Sequence, residues 1–129
     1  MNARRTFTAA LTTALGADGS TVYPAPTNAA TAPCWILEPD VPYMVPGSYC
    51  STVRRLRLLA VVARTDADTN MDAIDEIADR TVAAVLELER TPIDGTVAVS
   101  YEAVSSIDNL QIGETAYVAA VVNLTLSTA

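Results

Sequence analysis

STVRRLRLLAVVARTDADTNMDAIDEIADRTVAAVLELER, residues 51–90, carries two hydrophobic periods in succession, and the rest of the chain has to fit around them. In its first third the even positions are Leu56, Leu58, Ala60 and Val62. The odd positions begin with Arg55 and Arg57 and continue with Leu59, Val61 and Ala63. Alternation that gives way to apolar residues on both faces describes a strand whose second half must be covered twice. At roughly 3.3 Å per residue such a strand is longer than a small domain needs, so its surplus is expected to meet another chain. After Arg64 the period changes. Met71, Ile74, Ile77, Ala78, Val82, Val85 and Leu86 draw a stripe down one side of a helix. Thr69 is the expected N-cap, with Asp72 in the capping-box position, and Thr91-Pro92 ends the helix. Glu76 and Arg80 are ordered for an i, i+4 pair.

The 129 residues are read as one domain, 1–129, long enough to bury roughly two thirds of the unfolded surface. Half the residues are hydrophobic but only 5% are aromatic, so the core must be aliphatic. A net charge of -7 argues against binding nucleic acid through its phosphates, which requires a basic footprint. There is no histidine, and all 8 basic residues are arginine. Without His there is no Ser-His-Asp triad and no His-containing zinc site, and without Lys there is no P-loop lysine or Schiff base. The expectation is therefore no enzyme, no catalytic residues, no metal site and no cofactor.

The N-terminal segment places Phe7, Ala10, Leu11, Ala14 and Leu15 at helical spacing and forms no continuous apolar run, so it reads as a short helix and not a signal peptide. Gly16 and Asp18-Gly19 are expected to end it. A short extended piece, TVYPA, and a connector rich in Pro, Ala and Thr lead to a strand at CWILE. Next come a proline-rich segment read as a loop, DVPYMVPGSYC, with Val41, Tyr43, Met44, Val45 and Tyr49, and the long strand and helix. That loop either folds over the domain's own core or forms a docking surface. Beyond the helix, TVAVSYEAV is a strand, SSIDNLQIGE reads as a second loop with Ile107, Leu110 and Ile112, and residues 115–127 form the last strand. The even positions of that strand are all apolar, and its odd positions Tyr117, Ala119 and Val121 suggest partial cover by another subunit. The expected fold is α+β: a mainly antiparallel β-sheet with two α-helices packed on one face, in the order α-β-β-β-α-β-β. The strands at 53–64 and 115–127 should lie side by side, with the other face left for a partner. No apolar run approaches the ~20 residues that a membrane span needs.

Three patterns tempt toward chemistry. Asp66, Asp68, Asn70 and Asp72 are spaced like the start of an EF-hand loop, but Met71 stands where glycine is required and Ile77 where the bidentate Glu belongs, which favours helix capping. Arg54, Arg55 and Arg57 form the one basic cluster. Against 15 acids it reads as an interface paired with carboxylates of a neighbouring copy, with nucleic acid as the other reading. Cys34 and Cys50 lack zinc-site and C-x-x-C spacing; they are read as reduced thiols, with a later disulfide as the alternative.

Taken whole, the chain resembles the tail terminator proteins of siphoviruses. The resemblance lies in the order of AALTTALG, VYPAPT, PCWILEPDVPYMVPG, RRLRLLAVVAR, MDAIDEIADRTVAAVLELER and AYVAAVVNLTLST, which spans nearly the full length. It implies a structural virion protein of the neck, assembled in the host cytoplasm. Its partners would be copies of itself in a hexameric ring, the tail tube protein that the ring caps, and the head-tail connector or stopper protein above it. DNA would pass through without specific binding, and no membrane is involved. On that reading Val41, Tyr43, Met44, Val45, Tyr49, Arg54, Arg55, Arg57, Ile107, Leu110, Ile112, Tyr117 and Val121 are candidate subunit or tube contacts. Asp66 and Asp68 are candidates for an acidic lumen that repels the passing genome. The rival readings are a head-completion or stopper protein, and, from a different class, a carboxylate-dependent enzyme or small-ligand binding domain. A pocket lined by Asp or Glu with Tyr23, Tyr101 or Arg would favour the latter.

Overall fold

The structure, a computed structural model, describes residues 2–15, 21–23, 25–27, 32–47 and 52–128. Its elements are α1 (Ala3–Leu15), β1 (Thr21–Tyr23), β2 (Cys34–Pro46), β3 (Thr52–Ala63), α2 (Ala67–Glu89), β4 (Val97–Ile112) and β5 (Thr115–Thr128). The strands form one sheet in the order β1-β2-β3-β5-β4. Only the β1–β2 pair is parallel. As the hydrophobic periods require, β3 and β5 lie side by side, in continuous register from Thr52↔Thr128 to Ala63↔Tyr117. The matched even positions Leu56↔Leu124, Leu58↔Val122 and Ala60↔Ala120 therefore share one face.

Both helices cover that face. Phe7, Leu11 and Leu15 of α1 and Ile74, Ile77 and Val85 of α2 close over Trp35, Leu37 and the even positions of β3 and β5 in one core. The buried stripe of α2 runs Asn70, Ile74, Ile77, Thr81, Ala84, Val85. It is thus rotated from the apolar reading of the sequence: Met71 and Leu86 are 47% and 44% exposed, while two polar residues face inward. Both polar residues are satisfied. Thr81 Oγ1 donates to the Ile77 carbonyl and accepts from Trp35 Nε1 at 2.8 Å. Asn70 Nδ2 donates to the Ala63 carbonyl at 2.9 Å, and its Oδ1 accepts from the Thr65 N–H at 2.8 Å, tying the end of β3 to the start of the helix.

The N-cap is Asp66, three residues before the expected Thr69. Its side chain accepts from the Thr69 N–H at 3.1 Å. The Thr69 backbone N–H and then its hydroxyl hold the Asp66 carboxyl below its ordinary value of 3.8. Because the unfolded chain takes up this proton first, the cap stabilises fully above that value, and its contribution disappears as pH falls through the folded value. Asp66→Ala should therefore lower stability at neutral pH by a margin that shrinks in acid, as urea unfolding at a series of pH values would read. An equal deficit at every pH would contradict capping by the carboxylate.

Most of the described residues of both expected loops are strand. Residues 40–46, holding Val41, Tyr43, Met44 and Val45, continue β2 past a register shift between Pro39 and Met44. Prolines are tolerated there because β1 pairs only with residues 34–36, which leaves the outer edge of β2 without a hydrogen-bonding neighbour among the described residues. Residues 105–112 belong to β4, joined to β5 by Gly113-Glu114 between the paired Ile112 and Thr115. Gly113, at φ 62°, supplies the positive angle that such a two-residue connection needs at its first position. The expected turn at 16–19 lies outside the described residues.

The second face of the sheet is also corrected. Cys34, Ile36, Leu59, Val61, Ile112, Ala119 and Val121 are buried there within the chain, with Tyr23, Ala32, Leu110 and Tyr117 packed against them. Two register shifts, between Tyr101 and Ala103 and between Val104 and Ser106, bend β4 so that its far half contributes to this cluster. The apolar second half of β3 is therefore covered from both sides without another subunit.

Candidate interaction surfaces

The arginines of β3 divide by face. Arg55 and Arg57 stand on the second face, beside its apolar cluster, in a ladder of cross-strand ion pairs. Arg57 reaches Glu38 at 3.2 Å and Asp108 at 3.6 Å. Arg55 reaches Asp40 at 3.6 Å and donates to the Val41 carbonyl at 3.3 Å. These side chains are roughly a third exposed, so each pair contributes only about 0–1 kcal/mol. The expectation that both arginines wait for carboxylates of a neighbouring copy is corrected: their partners lie in the same chain. Arg54, on the helix-bearing face, makes no ion pair with a described residue. It lines an open hollow of about 400 Å³ with Asn2, Ala3, Arg4, Tyr43 and Met44.

The other expected contact residues scatter. Val41 is 88% and Met44 50% exposed on the bare part of β2, and Ile107, 47% exposed, sits on β4 beside the exposed Val104. Tyr43 packs against the helix-side core, and Val45 is half-buried. Leu110 and Tyr117 lean on the second cluster, and Ile112 and Val121 are buried inside it, so the last two offer no surface. Tyr49 and Cys50 lie outside the described residues. Asp66 is occupied as the helix cap, and Asp68 is exposed in the first turn of the helix.

One feature went unread in the sequence, although its spacing was there. Asp68, Asp72, Asp75 and Asp79 recur at i, i+4, i+7 and i+11 and are all exposed, so they form one acidic stripe along α2. Like charges at this spacing cost an isolated helix about 0.2–0.5 kcal/mol per pair, and none of the four makes an ion pair with a described residue.

Two further hollows, of about 180 and 500 Å³, carry one carboxylate each, Glu76 and Asp94 respectively, and the hollow at Arg54 carries none. Tyr23 and Tyr101 pack against the two cores and line none of the three. No group of three or more metal-binding side chains occurs among the described residues. Every buried side-chain nitrogen and oxygen described has a hydrogen-bond partner, so none is aimed unpaired into a cavity. Cys34 is a free, fully buried thiol, and burial pushes its pKa to about 11, which keeps it protonated and a poor nucleophile at neutral pH. No described helix is long and apolar enough to cross a membrane. Compared with models of known protein families and with curated proteins, the chain matches none.

Proposed function

We propose that the chain is a structural virion protein of the tail terminator kind, forming a ring that caps the tail tube and joins it to the head connector. One observation carries the assembly part of this reading. Apart from Met71 and Leu86 on α2, the exposed large apolar side chains among the described residues occupy opposite edges of the sheet: Val41 and Met44 on β2, beyond the reach of β1, and Val104 and Ile107 on β4. Two unlike edges that meet between copies make a head-to-tail contact, and such contacts generate closed rings when the rotation per copy closes. The order of sequence segments supplies the identity of the ring, and the net charge of -7 suits a channel through which DNA slides without adhering.

The test is to incubate the chain with purified tail tubes and image the tube ends by electron microscopy, alongside native mass measurement of the free chain. A ring at the end of each tube, with a mass that is a multiple of 13.6 kDa, is expected. Val41→Asp combined with Ile107→Asp should abolish the ring while leaving the circular dichroism spectrum unchanged. Binding to head connectors with no affinity for tubes would assign the chain to the stopper position instead.

A further inference from the structure

We infer that the hollow lined by Arg4 and Arg54 receives the aspartate stripe of α2 from a second copy of this chain. This contact rests on the ring reading and specifies how one copy grips the next. The hollow sits where the start of α1 meets the end of β2 and the start of β3, and its lining includes two arginines with Tyr43 and the half-exposed Met44. The first turn of α1 holds no acidic residue, and the hollow's lining carries Arg4 and Arg54 with no carboxylate, so the local charge is positive on a chain whose net charge is -7.

The complementary surface is on the same molecule but out of its own reach. Arg54 stands near the start of β3, whereas Asp68 lies just past its end, and twelve strand residues span roughly 40 Å. The helix that bears the stripe meets β2 at Trp35, near the start of that strand, whereas Tyr43 and Met44 stand near its far end, so stripe and hollow also lie apart along β2. A copy that presents its β4 side to a neighbour's β2 side brings one to the other, in the same sense as the edge contact. Aspartates one and two turns apart match guanidinium forks, which bind carboxylates bidentately, and docking relieves the repulsion along α2. A nucleic-acid phosphate has the right charge for the hollow, but the 15 acids of the chain would oppose its approach.

The experiment compares wild type with Arg4→Glu/Arg54→Glu and with Asp72→Arg/Asp75→Arg, using native mass measurement and imaging of tube ends. Each reversed variant alone should associate on the order of a hundredfold more weakly, and an equimolar mixture of the two should recover association. Arg4→Gln/Arg54→Gln, checked by thermal melting, reads the same contact if charge reversal impairs folding. Rings that form undiminished in both reversed variants overturn this contact and leave the ring reading standing. A wild-type chain that stays monomeric both free and on tubes overturns both. Binding of a short DNA duplex that is lost in the Gln variant, with association unchanged, overturns the contact in favour of a phosphate ligand.

Discussion

Trp35→Ala should destabilise the isolated chain by about 3–5 kcal/mol, the range for deleting a large buried aromatic side chain. Trp35 has no exposed surface. It stands at the start of β2, beneath α2, where its Nε1–H bonds to Thr81 and the Arg80 guanidinium lies 5.3 Å from the ring centroid. Arg80 in turn donates to the Leu15 carbonyl at 2.7 Å, so the ring sits beneath the junction of both helices. Truncation would open a cavity that strands on one side and a helix on the other cannot both collapse into. Trp35→Phe keeps most of the volume and should cost about 1–2 kcal/mol, chiefly the indole hydrogen bond and the residual gap. Urea midpoints at unchanged slope would measure both changes. A loss below about 1 kcal/mol for the alanine variant would show that the ring is not packed as described.

Leu59→Ala should cost about 2–5 kcal/mol in the same assay and leave native mass unchanged. The pairing of readouts matters because Leu59 lies on the face that hydrophobic patterning assigned to a partner subunit. It is 4% exposed within the chain, packed in a cluster with Ile36, Val61 and Val121. If the cluster is internal core, truncation lowers the stability of the single chain. If it were a subunit contact, truncation would shift the association equilibrium and barely move the monomer's melt. The same logic explains why Ile112 and Val121 make poor sites for testing assembly, whereas Val41 and Ile107 make good ones.

The difference between these residues lies in the bending of the sheet. Leu59, Val61, Ala119 and Val121 are visible in the sequence as apolar residues on the wrong side of an alternation, so their need for cover was legible. Their cover comes from Tyr23 of β1, from Ala32 and from the far half of β4, which are distant in sequence and reach the cluster only through strand pairing and bulges. A bulge adds one residue to one strand and has no reliable signature when its neighbours are Ala, Ser and Val. The arginines follow the same rule. Their charge and their strand were plain, but Arg57 finds Glu38 and Asp108 only because β2 and β4 flank the β3–β5 pair.

Local periodicity by itself determined the two helices, the strands β3 and β5, the order of the elements and the side-by-side pairing of β3 with β5, because a period of two or of 3.6 is set by backbone geometry wherever the residues lie. It also determined which functional groups are missing, since composition does not depend on folding. Tertiary structure alone decided which greasy and charged side chains remain at the surface. Burial and ion pairing depend on neighbours that strand order and bulges bring together across the sheet. Val41, Met44, Arg54 and Ile107 thus stayed accessible, while Leu59, Val121, Arg55 and Arg57 found partners within the chain.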